Sequence, residues 1–321
     1  MKHNIKTIRT VRLVTVVGMI LNLVLVFAKA AGGWFFHSQA LLADAVHSLS
    51  DLVTDLALIL CVKYWSAPPD KSHPYGHERI ETLVSAFIGI ALAAVAIGLG
   101  WDAVGTLRHG AERPPEGYAF VIALFSIISK EWVFRWTRAK AREIRSTALE
   151  APAWHHRSDA LSSIPAAAAI AVAFFFPKLD FVDPLGAIVV SFLILHAAWK
   201  IIKPTLQELS EAGVSHEDQA TIYRLASSLP GVLGAHALRT RNAGGSIWAD
   251  IHIIVDPDMT VREGHDLSHR VRDLLVDSSG LNIADVVVHL EPPTSSRMKA
   301  MTQRGIPIVP PPRDPGDTTD F

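Results

Sequence analysis

The chain has 321 residues, half of them hydrophobic and only 19% charged, with a mean hydropathy of +0.28. Soluble domains carry roughly a quarter charged residues, so this composition indicates a membrane protein. A net charge of −1 speaks against a nucleic-acid partner, which a basic excess would favour.

Residues 1–11 form a polar N-terminal arm. Six apolar stretches follow at 12–33, 39–65, 80–104, 117–137, 149–177 and 183–203, each close to the ~20 residues that cross a bilayer. The first run starts near Leu13 and lacks a small-residue cleavage site, so it reads as a span and not as a signal peptide. The third ("LVSAFIGIALAAVAIGLG") and the sixth ("AIVVSFLILHAAW") are uninterrupted, whereas His and Asp break the second and fifth. Together, residues 12–208 are expected to form a six-helix transmembrane domain. Basic residues cluster in the arm, the 2–3 loop (Lys63, Lys71, Arg79), the 4–5 loop (Arg135, Arg138, Lys140) and the exit from the sixth span (Lys200, Lys203). The opposite loops hold only Arg108, Arg113 and Lys178. By the positive-inside rule both termini are expected in the cytoplasm.

After Pro204 charged residues return, and residues 209–295 read as a small soluble domain. Residues 216–229 have a helical apolar period; "GAHALRTR" and "SIWADIHIIVD" read as strands around an "NAGG" turn. An amphipathic helix over 261–276 and a strand "ADVVVHLEP" complete the domain. That α-β-β-α-β order predicts an α+β domain with a three-stranded sheet. Residues 296–321, rich in proline and polar side chains, are expected to be disordered.

The chemistry sits where it is most costly. His47 and Asp51 are four residues apart in the second span, and His155 and Asp159 repeat that spacing in the fifth. Each pair lies on one helical face. An aspartate at the centre of a membrane helix costs roughly 2.5–3.5 kcal/mol on insertion scales, so it marks a functional site by default. Two imidazoles and two carboxylates on converging helices suit a tetrahedral divalent ion such as Zn2+, though each pair alone could equally cap a helix end. Asp44 lies off that face and reads as a structural hydrogen-bonding residue. Asp70, His73 and His77 in the 2–3 loop have spacings that allow a cluster around Pro74 and Gly76, or simply a solvated loop. "HER" is not the start of a metalloprotease helix, because position 81 is Glu81 and not His. His236, His252, His265, His289 and Glu291 are spread over the soluble domain and could meet at one end of its sheet. The single cysteine, Cys61, rules out an intramolecular disulfide and a cysteine-built zinc cage.

The stretches "SQALLADAVHSLSDL", "HPYGHERIE", "AWHHRSDALSS" and "GAHALRTR…DIHIIVD…DVVVHLEP" resemble the cation diffusion facilitator family over nearly residues 10–293. These are divalent-metal/proton antiporters of membranes. The resemblance implies a homodimer in the lipid bilayer, with six helices per protomer and a cytoplasmic ferredoxin-like (metallochaperone-like) domain. It implies a transport site of His47, Asp51, His155 and Asp159, and a loop site of Asp70, His73 and His77. It further implies a cytoplasmic-domain site of His236, His252, His265, His289 and Glu291, and a charge interlock between Arg79 and Glu211. A well-studied bacterial zinc/iron exporter of the family has Asp where His47 stands, and the magnetosome-associated members have Tyr there. A His2Asp2 set carries −2 and balances one Zn2+, so Zn2+ is the expected cargo and regulatory ion, with Cd2+ possible. The same fold carrying Fe2+, Mn2+ or Co2+ is the nearest alternative. A non-transporting scaffold and a membrane-embedded zinc hydrolase stand further off, so no enzymatic activity is expected. The 4–5 loop is not the His-rich loop common in eukaryotic zinc members of that family, which favours a bacterial inner membrane.

Overall fold

The computed structural model describes residues 2–110, 113–144 and 149–293. The tail expected over 296–321 lies outside the described residues. The chain divides into two compact units: residues up to Val62 with Val84–Lys203, and Lys63–Leu83 with the chain from Pro204 onward.

The first unit is all helical. It comprises α1 (Lys2–Phe35), α2 (Gln39–Trp65), α3 (Arg79–His109), α4 (Gly117–Ile144), α5 (Glu150–Ser162), α6 (Ile164–Phe175) and α7 (Val182–Leu209), whose ends at α2, α3 and α7 run into the second unit. Among the described residues six stretches are long and apolar enough to cross a membrane, with α5 and α6 forming one of them from Pro152 to Phe175. Helix α1 runs back through the expected arm to Lys2.

The packing inside is that of a membrane bundle. Small residues fill its centre, among them Ala40, Ala43, Ala96, Ala103, Ala119, Ala123, Ala166 and Ala187, with Leu41, Ile170, Val190 and Ile194 between them. Small side chains let helix backbones approach closely where lipid offers no hydrophobic incentive to associate. Gly186 is the tightest such point, since a Cβ there would collide with Ala169 on α6 and crowd Ala40 on α2. Large apolar side chains point outward instead: Trp101 is 80% exposed and Phe87 75%. That inversion is expected of a surface that faces lipid. Polar ends are tied as well. Asp183, at the start of α7, accepts from Ser38 Oγ at 2.7 Å and from the Gln39 backbone N–H at 2.8 Å, so one helix caps the N-terminus of another.

The fifth span is not the single helix that its apolar length suggests. It breaks at Ser163, between α5 and α6. Pro165 follows in the first turn of α6 and has no N–H to give to the preceding turn, so the hydrogen-bond ladder is interrupted there.

The second unit holds α8 (His216–Ser227), β1 (Gly234–Ala243), β2 (Ser246–Ile254), α9 (Val261–Ser278) and β3 (Ile283–Glu291). The sheet has the order β1-β2-β3, with β1 and β2 antiparallel and β2 and β3 parallel. The hairpin turns on Gly244 and Gly245, at φ +56° and +81°, a region that favours glycine. Ile247, Ala249, Ile251 and Ile253 alternate along β2 and face a core with Leu267, Val271 and Leu275 of α9 and Ile222 and Ala226 of α8. Thr260 caps α9 and shares a reciprocal capping box with Glu263.

Candidate metal sites

Among the described residues three His/carboxylate groups come together, one in the bundle and two in the second unit. In the bundle, ligand atoms of Asp51 on α2 and of His155 and Asp159 on α5 lie within 4.8 Å of one another. His155 Nδ1 is 3.6 Å from Asp159 Oδ1, the i,i+4 contact that the shared helical face dictates. Asp51 Oδ2 is buried without a hydrogen-bond partner, an unsatisfied acceptor in a low-dielectric setting. His47, expected as the fourth ligand, is not within that group: its Nε2 lies 3.1 Å from Ser162 Oγ, and its Nδ1 is buried and unpartnered. It stands one turn before Asp51, beside the break between α5 and α6.

Two residues of this region carry no signal in the histidine pattern. Lys29 on α1 and Lys130 on α4 are among the most buried side chains in the protein. Lys29 Nζ pairs with Asp44 Oδ2 at 2.8 Å and donates to Ser48 Oγ at 3.0 Å and Ser163 Oγ at 3.2 Å. Ser163 in turn donates to Asp44 Oδ1 at 2.8 Å, so Asp44 does have the structural role its sequence position indicates. Lys130 Nζ lies 3.3 Å from Asp159 Oδ2 and 3.4 Å from Ser48 Oγ. The sequence does hold a signal for both, a lysine inside an apolar span ("FAKAA", "IISKEW"), which is a site hypothesis by itself.

In the second unit, Asp70, His73 and His77 cluster within 4.8 Å. Asp70 Oδ1 accepts from the backbone N–H groups of Ser72 and His73, each at 2.7 Å, while its two oxygens face the His73 and His77 rings at 3.4 Å. The His73 N–H first, with the Ser72 N–H and the two imidazoles adding to it, holds the Asp70 carboxyl below the usual aspartate range. Gly76, at φ +86°, makes the turn that brings His77 back.

On the sheet, register does what helical spacing does in the bundle. His236 pairs with His252 across β1 and β2, and His252 with His289 across β2 and β3, giving one imidazole per strand in a row. Ligand atoms of His236, His252 and the buried Glu291, two residues along β3, lie within 4.8 Å of one another, with His236 Nε2 and His252 Nδ1 each 3.0 Å from the carboxylate; His289 is not within that group, though its Nε2 lies 3.6 Å from Glu291. An irregularity in β1 after His236, with Ala237 at φ +50°, sets the angle of that strand. Imidazoles gathered on one carboxylate form a donor set suited to Zn2+ and its neighbours. His265 does not join them. Its ring faces His269 one turn along α9, at 4.5 Å between centroids, because a residue at the start of that helix follows the helix and not the strand register.

Arg79, at the start of α3, pairs with Glu211 after α7 at 2.9 Å. Nearby, Thr82 Oγ1 donates to Glu208 and the Gly244 N–H donates to the same carboxylate.

The architecture and these sites define a multi-pass membrane protein with a small α+β domain. The family of the cation efflux transmembrane domain matches residues 15–210, and that of the cation efflux protein cytoplasmic domain matches 214–293. The chain belongs to the cation efflux family. It is 32% identical over 290 residues to Metal tolerance protein C1 of Arabidopsis thaliana, which covers 86% of this chain, and it spans 61% of that protein's length. Over 299 residues it is 32% identical to Metal tolerance protein 2 of Oryza sativa subsp. japonica, covering 85% of this chain and 76% of that one. With the Manganese efflux system protein MneP of Bacillus subtilis it shares 26% over 286 residues, covering 88% and 96%. A solved MamM-CTD chain aligns with 33% identity over 24% of this chain and 96% of its own, at a TM-score of 0.23.

Proposed function

We propose that this protein exports a divalent metal cation, Zn2+ before others, in exchange for protons by alternating access around Asp51, His155 and Asp159, with His47 completing the set. The convergence of three ligand atoms within 4.8 Å inside apolar spans carries this reading, because ionisable groups gathered there are costly and mark a functional site by default. Metal binding requires neutral imidazole and ionised carboxylate, so protons and metal compete for the same atoms. When the site opens to the far side, protons entering from there release the ion. Imidazole suits that exchange because its ordinary pKa of ~6.5 lies inside the physiological range. The two aspartates balance one divalent charge, and two nitrogen donors favour Zn2+ over harder cations.

In this reading the loop and sheet clusters are regulatory sites for the same ion, and the protein is a homodimer of a bacterial inner membrane with both termini in the cytoplasm. The Arg79–Glu211 pair joins the start of α3 to the segment after α7 as a charge interlock. Its two side chains are exposed, so its loss costs at most about 1 kcal/mol of stability; if Arg79→Ala and Glu211→Ala each leave dimer stability and transport unchanged, the interlock is dropped. A second reading, manganese as main cargo, draws support from the similarity to a manganese efflux protein.

Metal-driven proton flux into proteoliposomes, compared for Zn2+, Cd2+, Mn2+ and Fe2+, tests both. Flux led by Zn2+ and lost in Asp159→Ala supports the first reading. Flux led by Mn2+ selects the second, and flux that survives the substitution removes the site.

A further inference from the structure

The two buried lysines differ in what they hold. Lys29 has a carboxylate of its own, Asp44, and two serine hydroxyls as acceptors. The carboxylate facing Lys130 is Asp159, one of the three groups that gather in the bundle, and the lysine holds the oxygen turned away from His155. Ser48 Oγ, which also accepts from Lys29 Nζ at 3.0 Å, lies 3.4 Å from Lys130 Nζ and gives the ammonium a second acceptor besides Asp159. Only the long, unbranched stem of Lys130 has to swing for the head to change partners.

We propose that Lys130 is a tethered cation that occupies Asp159 when the site is without cargo, and that an arriving divalent ion must displace it toward Ser48. This rests on reading Asp51, His155 and Asp159 as transport ligands. Two buried carboxylates with no counter-ion would be costly, and the ammonium compensates one of them. Once a divalent ion has entered, the same ammonium is a third positive charge a few ångströms away in a low-dielectric interior, where repulsion is strong. It therefore has to leave Asp159, and it returns when the ion departs. The exchange is one of cation for cation at a carboxylate. The result is a site that binds less tightly than its ligands alone would, and lets go sooner. A transporter needs that, whereas a storage site does not.

The experiment uses the full-length protein carrying His77→Ala and Glu291→Ala, so that the clusters of the second unit do not mask binding in the bundle. Zn2+ affinity is measured by calorimetry in detergent, and turnover by proton flux in proteoliposomes. Lys130→Gln is expected to bind Zn2+ at least tenfold more tightly, with a lower half-saturating concentration and a lower kcat, and Lys130→Arg is expected to restore weak binding. Unchanged or weaker affinity in a folded, monodisperse Lys130→Gln protein overturns the proposal. If that variant does not fold, Ser48→Ala decides. Weaker Zn2+ binding supports a displaced lysine that has lost its second acceptor, and unchanged binding overturns it. Asp159→Asn separates the two layers. Wild-type affinity there sinks the transport-site reading, whereas lost affinity there without tightening in Lys130→Gln sinks only the role of the lysine.

Discussion

The bundle and the sheet gather the same pair of groups, imidazole and carboxylate, on opposite scaffolds. On the helices, a spacing of four residues delivers His155 and Asp159 from one face, and Asp51 must come from a second helix. On the sheet, each strand contributes one imidazole in register, and a single glutamate two residues further gathers them. The surroundings differ more than the ligands do. The bundle couples its carboxylate to a buried lysine, while the sheet couples its carboxylate to imidazoles on three strands. If that ammonium yields to an arriving ion, a carboxylate held in this way suits an ion in transit. A carboxylate engaged by rigid neighbours suits an ion that stays, and that biases the arrangement of the unit binding it.

The sharpest way to break this contrast is to remove one ligand from each side. Asp159→Ala is expected to reduce metal-driven flux at least about 100-fold at every metal concentration, since loss of outer-shell partners alone already costs 10–100-fold in metal affinity. Glu291→Ala is expected to weaken binding to the second unit by roughly 10–100-fold while leaving flux at saturating metal within a few-fold of wild type. If Glu291→Ala abolished flux at saturation, the two sites would not divide the work as described. Flux titrations on both variants across metal concentration give the answer.

Much of this contrast is legible in the sequence. Apolar length gives the six spans, the repeated His-x-x-x-Asp points to three of the side chains that converge in the bundle but also to His47, which does not join them, and the α-β-β-α-β order gives the sheet domain. Register was the missing information for the sheet site, because a one-residue slip moves every side chain to the other face. His265 illustrates the gap: in sequence it is one more histidine, and in space it belongs to a helix. The break at Ser163 is hidden because hydropathy averages over it, although Pro165 marks it chemically. Lys29 and Lys130 show in the sequence only as lysines inside apolar spans. Their partners lie 15 and 29 residues away on other helices, so no local spacing reveals the pairing.

Changes to the fold beneath the sheet sharpen the comparison from the other direction, since they should cost stability without touching metal. Ile251 is fully buried in the centre of β2, and Ile251→Ala is expected to destabilise the second unit by about 2–5 kcal/mol, the usual cost of a core truncation. Chemical denaturation followed by a probe of that unit, such as Trp248 fluorescence, measures it.

The smallest of these effects is the most specific. Thr260→Ala removes the cap of α9 and is expected to cost about 1 kcal/mol. The hydrogen bonds from the Thr260 hydroxyl first, and from its backbone N–H, hold the Glu263 carboxyl below the usual glutamate range. A carboxyl lowered in the folded state contributes stability that is fully present above its unfolded pKa and is lost as pH falls through its folded one. The stability gap between wild type and Thr260→Ala should therefore be widest near neutral pH and narrow in acid, below the ordinary glutamate range. Denaturation curves at a series of pH values test this, with Zn2+ affinity of the sheet cluster as the control. A gap that stays constant with pH would mean that the box contributes through the threonine alone. A change in Zn2+ affinity would mean that α9 and the histidine row are mechanically linked, which the separate placement of His265 argues against.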